Sequence, residues 1–240
     1  MRLIPPEEVA DTALWIEKTG ARYFFITDSA FNADYDHSMA VAHALMRAGV
    51  SIPWGAFFAP TRPPKDYYRS LADAGLTHVE FGTESLSDEV LHAYRKPFSA
   101  DHVFCSHRAA IDAGLHVAHY FLLGGPGEDI HSISRTLSSA DRLEGAVFFF
   151  FCGMRIYPKT ALHDMAVASG QISASRSLLA PIFYQSTAIT TEEILLRVRD
   201  HAAGRMNWVT GSGEDLTARI IPRMYARGHH GPLWEHLIRT

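Results

Sequence analysis

Apolar residues along this chain gather into five short runs, at 23–27, 50–59, 77–81, 116–123 and 146–152, separated by longer stretches in which they recur every three or four positions. The runs are apolar at almost every position, the pattern of strands covered on both faces. The intervening stretches carry helix signals. Pro5-Pro6-Glu7-Glu8 puts proline and acids into a first turn, Val9, Ala13 and Ile16 keep helical spacing, and Gly20 ends it. Further helices are expected at about 37–48, closed by Gly49, from the Pro60–Pro64 turn to Gly75, from Ser99-Ala100-Asp101 to Gly114, and at about 130–143. Strands alternating with helices predict an α/β fold: a (β/α) TIM-like barrel, or part of one, with about five parallel strands.

After Pro158 the pattern changes. A helix is expected at 160–168, 178–184 is apolar but irregular, Thr190-Thr191-Glu192-Glu193 caps a helix ending near Ala203, and two more helices are expected at about 215–226 and 232–238. The chain therefore divides into a barrel core over 1–174 and a helical extension over 175–240.

In a parallel barrel, function sits at the C-terminal strand ends. Asp28-Ser29, Glu84-Ser85, the loop from Gly124 to Glu128 and Arg155-Ile156-Tyr157-Pro158 all fall just past expected strand ends, so they should share one rim. The stretch Tyr120-Phe121-Leu122-Leu123-Gly124-Gly125-Pro126-Gly127-Glu128-Asp129 is the most specific of these. Pro126-Gly127 suits the centre of a type II turn, and Gly124 and Gly125 leave backbone that a ligand can approach. Phosphate on the following helix is disfavoured, because Glu128 and Asp129 place two acids where it would sit. The loop suits hydroxyls or an amine, or else the acids cap the helix.

Composition narrows the classes. With 47% hydrophobic and 20% charged residues, the 240-residue chain can bury a full core. A net charge of -4 gives no basic field for nucleic acid. No uncharged run approaches the length of a membrane span and no apolar signal core opens the chain, while its two cysteines, Cys105 and Cys152, read as reduced core residues, so a cytoplasmic protein is expected. Histidine occurs 14 times, yet Cys105 and His107 point to different helix faces and His116 and His119 to opposite strand faces, so no metal site is expected. Neither a Gly-x-Ser-x-Gly elbow nor a Gly-x-Gly-x-x-Gly fingerprint occurs.

Asp28-Ser29-Ala30-Phe31-Asn32, Gly82-Thr83-Glu84-Ser85-Leu86-Ser87, Lys96-Pro97-Phe98, Gly124-Gly125-Pro126-Gly127-Glu128 and Arg155-Ile156-Tyr157-Pro158 follow in an order and spacing that resembles the radical S-adenosylmethionine enzymes of the cobalamin-binding class. Pro181–Tyr184 and Gly228–Trp234 look most like a subgroup labelled as lipid biosynthesis proteins. The resemblance implies that Asp28 and Ser29 lie at the methionine amine, Glu84 and Ser85 at the ribose and methionine moiety, Lys96 at the carboxylate, and Gly124, Gly125, Gly127 and Glu128 along the adenosine, with Tyr157 at one side. It also implies S-adenosylmethionine, a 4Fe-4S cluster and cobalamin as cofactors and a small-molecule or lipid-precursor substrate.

One departure counts against catalysis. The family anchors its cluster on Cys-x-x-x-Cys-x-x-Cys, and this sequence holds no such motif. By resemblance, a first strand, the cluster loop, most of a first helix and a cobalamin domain are expected to be missing, leaving a sheet edge open to self-association. Lys159 stands where the family's Tyr-Pro-Gly-Thr turn has glycine. Three functions follow: a fragment of a cobalamin-dependent radical enzyme, inactive alone; a non-catalytic barrel binding a nucleoside-like ligand or a protein; or an unrelated barrel lyase or hydrolase using Asp28 and Glu84 as acid and base.

Overall fold

A computed structural model describes residues 3–211 and 221–238. The expected alternation is present: α1 (Pro6–Lys18), β1 (Phe24–Ile26), α2 (Tyr35–Ala48), β2 (Trp54–Phe58), α3 (Tyr67–Asp73), β3 (Leu76–Glu84), α4 (Asp88–Ala93), α5 (Ala100–Asp112), β4 (His116–Leu123), α6 (Ile130–Ala140) and β5 (Ala146–Cys152). Then come β6 (Met154–Arg155), α7 (Ala161–Ala168), β7 (Phe183–Tyr184), α8 (Thr191–Ala202) and β8 (Trp208–Thr210). One parallel sheet runs in the order β1-β2-β3-β4-β5-β8, part of a TIM-like barrel, and β6 pairs antiparallel with β7.

The count of five strands becomes six. β8 comes from the stretch expected to be a helical extension and hydrogen-bonds to β5 through Phe148, Phe149 and Phe150. Its signal is weak because three residues, Trp208-Val209-Thr210, are too few for alternation to stand out. The expected break at Gly82 is instead a register shift inside β3, which continues to Glu84. Of the helix expected at 215–226, residues 215–220 lie outside the described residues and 221–226 is helical. The one expected at 232–238 is a single 3-10 turn, Trp234–Leu237.

Alternation along the strands sorts side chains between two faces. Outward, Val79, Phe81, Val117, Phe121, Leu123, Phe148 and Phe150 meet Val41, Leu45, Leu71, Val103, Ile133, Leu137, Ile194 and Val198 of the helices, forming the main core. Trp54, a candidate pocket wall from sequence, belongs to that core: it is fully buried and its Nε1 donates to Ala74 O at 2.8 Å. Inward, aromatic rings form a belt, Phe25 against Phe57, Phe57 against Tyr120, and Tyr120 stacked on Phe149. The C-terminal segment closes this face near the strand starts. Buried Trp234 packs on Ala118 and Val147 and donates to Glu80 Oε1 at 2.9 Å. Glu235 Oε2 lies 3.3 Å from His78 Nε2, close enough to attract but not aligned as a hydrogen bond.

Candidate functional site

Because every strand of the main sheet is parallel, residues just past the C-termini of β1, β3, β4 and β5 lie on one edge. At the exit of β1, Asp28 and Ser29 are exposed, and Asp28 Oδ1 accepts the Ser29 N–H at 2.8 Å. Both line a cavity of about 530 Å³ between α1, α2 and β1.

At the exit of β3, Glu84 has φ +64°, a left-handed conformation that costs an ordinary residue about 1–2 kcal/mol. It aims its carboxylate at Lys96, whose Nζ donates to Glu84 Oε1 at 2.6 Å; both side chains are partly buried. Ser85, expected beside it at the ligand, is turned into the protein. Its Oγ lies 3.0 Å from Thr136 Oγ1 on α6 and accepts from Ser87 N–H, so it fixes the strand exit and is fully buried. The physical reason is again alternation: with Glu84 facing the rim, its neighbour faces the helices.

The glycine loop forms the type II turn expected of it, with Glu128 N–H donating to Gly125 O at 3.2 Å and Gly127 at φ +80°. Asp129 caps α6, accepting from His131 N–H and Ser132 N–H, and these bonds hold its carboxyl below the usual range. Glu128 does not cap. It is 1% exposed and bends back under its own loop, where Oε2 accepts from Gly124 N–H, from Gly125 N–H at 3.2 Å and from Tyr94 OH at 3.0 Å. Its Oε1 is buried without a partner, and burial pushes its carboxyl up to about 7. The space beside Gly124 is taken by Gln185 and Ile194, and that beside Gly125 by Tyr94 and Met154. These glycines therefore admit the chain's own side chains where a ligand was expected. A strap after β7 completes the loop, Ser186 N–H donating to Gly124 O and Ser186 Oγ to Glu128 O, each at 2.6 Å.

Past β5, the Arg155 guanidinium sits 4.9 Å from the centre of the Tyr157 ring, which stands exposed on the rim. Lys159 has φ +62°, so the turn keeps the conformation glycine prefers.

A family model for the radical SAM superfamily matches residues 1–140. The chain belongs to the radical SAM superfamily. Membership sets aside the unrelated lyase or hydrolase. Among curated proteins, an uncharacterized methyltransferase of Pyrococcus horikoshii, PH0819, is 23% identical over 150 residues, covering 62% of this chain and 32% of that protein. Among solved structures, the radical S-adenosylmethionine methyltransferase TsrM from Kitasatospora setae, with cobalamin and a 4Fe-4S cluster bound, superposes with a TM-score of 0.75 at 15% identity, covering 97% of this chain and 53% of TsrM. The cobalamin-dependent S-adenosylmethionine radical enzyme OxsB gives 0.64 at 12% identity, over 98% of this chain and 40% of OxsB. The chain thus spans about a third to a half of the length of these relatives.

The family's cluster does not fit the thiols of these 240 residues. Cys105 lies in α5 and Cys152 ends β5, where burial pushes its thiol up to about 11, the opposite of a ligating thiolate. Among the described residues no group of three His, Cys, Asp or Glu could hold a metal ion. Two of the histidines are built into the core: Thr83, His119 and His107 form a buried chain of hydrogen bonds, and burial lowers both imidazoles, His107 to about 4. Among the described residues no helix is long and apolar enough to cross a membrane.

Sequence reasoning missed Tyr94, Thr136 and Gln185-Ser186, which hold the rim from behind. Tyr94, Thr136 and Ser186 carry no local signal, since their bonds to the rim span 28 or more residues, and Gln185 reaches the rim only by filling the space beside Gly124.

Proposed function

We propose that this rim binds S-adenosylmethionine, as the nucleoside-binding part of a cobalamin-dependent radical enzyme that transfers a methyl group to, or otherwise modifies, an unactivated carbon. The observation that carries the reading is the Glu84–Lys96 pair, held by a strained backbone on the edge shared with Asp28-Ser29 and the glycine loop. An ammonium has three donors, so Lys96 can keep Glu84 and still meet a ligand carboxylate. Asp28 and Ser29 are free to take the amine, Glu84 the ribose hydroxyls, and Tyr157 an edge of the adenosine. Ser85 and Glu128 act as supports, and Gly124, Gly125 and Gly127 shape the loop beside the base.

The aromatic belt of Phe25, Phe57, Tyr120 and Phe149 below this rim favours an apolar substrate, consistent with a lipid precursor. With two thiols in the wrong places, these residues do not by themselves anchor the cluster, so the chain alone binds its ligand without the radical step.

Calorimetry tests the reading. Without a chelating cluster, S-adenosylmethionine should bind at about millimolar Kd. Lys96→Ala should weaken it by about tenfold or more, the worth of a charge-assisted hydrogen bond, and leave 5′-deoxyadenosine, which lacks a carboxylate, unchanged. Micromolar binding insensitive to Lys96→Ala and Glu84→Ala would place the ligand elsewhere.

A further inference from the structure

Along the inward face of β3, Glu80, Gly82 and Glu84 follow one another toward the rim, and they differ in what meets them. Glu84 has Lys96. Glu80, four residues lower and about 13 Å away along the strand, has no cation. It is 5% exposed, its Oε1 accepts from Trp234 Nε1–H at 2.9 Å, the Tyr120 hydroxyl is its other donor, and among the described residues no Lys or Arg pairs with it. Burial raises its carboxyl, and these two donors and His78 offset only part of that cost. A buried carboxylate ordinarily has a cation beside it. Directly above Glu80 the strand has no side chain, and a Cβ on Gly82 would meet nothing closer than Glu84 Oε1, at 3.8 Å. Across the ladders, Gly82 pairs with Tyr120 and Glu80 with Phe57 and Ala118. Phe57 and Tyr120 belong to the aromatic belt with Phe25 and Phe149. Unlike the fully buried, outward-facing Phe81 and Phe121, each ring of the belt is partly exposed, so the space inside it is open to solvent. The lumen thus runs from the Glu84–Lys96 pair down aromatic walls to an acid that lacks a cation.

We propose that this lumen binds a primary alkylamine, whose ammonium donates to Glu80 while its apolar body lies along Gly82 against the aromatic rings. The chemistry selects an ammonium. Glu80 supplies the counter-charge in a charge-assisted hydrogen bond, and aromatic faces attract a cation as well as an alkyl chain. A ligand ending in a carboxylate would meet Glu80 with like charge, and an alcohol would leave the charge of Glu80 unbalanced. The far end of the bound amine faces the rim. That this amine is the molecule modified there rests on the proposed function; the amine site itself does not.

Hexylammonium chloride titrated into the full chain at neutral pH tests this, with 1-hexanol and hexanoate as its neutral and anionic matches. The resonances to follow are the Trp234 indole N–H and the amides of Gly82 and Tyr120. Hexylammonium should move them and bind about tenfold or more tighter than hexanol, the worth of a charge-assisted hydrogen bond, while hexanoate moves none. Glu80→Gln should remove the preference for amine over alcohol. Gly82→Leu leaves Glu80 in place and fills the space above it, so it should weaken both ligands by about tenfold. It decides the matter alone if circular dichroism shows the glutamine variant unfolded. The proposal is overturned by equal binding of amine and alcohol, by an amine preference that survives Glu80→Gln, by amine binding unchanged in Gly82→Leu, or by shifts confined to carboxylates on the outer surface. Hexylammonium bound at Glu80 while S-adenosylmethionine fails to bind would sink the functional reading alone. S-adenosylmethionine bound at the rim while hexylammonium fails to bind would sink this one alone.

Discussion

Glu128→Gln should stabilise the protein, and more so as pH rises. The native carboxyl is 1% exposed, with Oε2 shared among Gly124 N–H, Gly125 N–H and Tyr94 OH and Oε1 unpartnered. Burial dominates, raising it from an ordinary 4.5 to about 7. The folded state therefore holds a proton that the unfolded chain has already released. The stability this confers is full below about 4.5 and is lost as pH rises through about 7. At about 1.4 kcal/mol per pH unit, the shift costs about 1 kcal/mol at pH 5, where folding must keep the proton, and about 3 kcal/mol above pH 8, where Glu128 is buried ionised, relative to a neutral group of the same shape. Glutamine is that group, and its carbonyl can still accept from the glycine amides. The difference between variants should grow by about 2 to 3 kcal/mol in favour of glutamine between pH 5 and pH 8.5, about 5 to 10 °C in Tm for a domain of this size. Every other titrating group is common to both proteins and cancels. Urea unfolding of the pair at the two pH values measures it. A gap that stays constant with pH, or a glutamine variant less stable at pH 8.5, would refute a Glu128 carboxyl that burial pushes up.

Other outcomes follow from single contacts. Trp234→Phe deletes the donor to buried Glu80 and should cost about 1–3 kcal/mol in chemical denaturation, with little effect on S-adenosylmethionine binding because it lies near the strand starts. Lys159→Gly relieves the left-handed strain at φ +62° at an exposed position and should raise stability by about 0.5–1 kcal/mol, read from the same melts. Anaerobic treatment of these 240 residues with iron and sulfide should give neither charge-transfer absorption nor stoichiometric iron. One cluster per chain would show that Cys105 and Cys152 are not the only route to its ligands.

The strand-helix alternation and the rim were legible in the sequence because both are local: each buried strand is a continuous apolar run, and each exit is marked by polar or glycine residues directly after it. The turn at Pro126-Gly127 and the cap at Asp129 were legible for the same reason. Glu128 was not, because facing a ligand and folding back onto its own loop give the same sequence; only the distant Tyr94 and Ser186 decide between them. Ser85 likewise depends on Thr136, which lies 51 positions on. β8 and the seat of Trp234 on Glu80 escaped because a three-residue strand and a single buried indole make no periodic pattern.

Amide chemical shifts recorded while S-adenosylmethionine is titrated into the chain test the central claim most directly. The account predicts movement at Asp28, Ser29, Glu84, Lys96, Gly124, Gly125, Gly127 and Tyr157, with His78, Glu80 and Glu235 near the strand starts unmoved. Shifts clustered at that opposite end, or none anywhere at about tenfold above millimolar ligand, would contradict it.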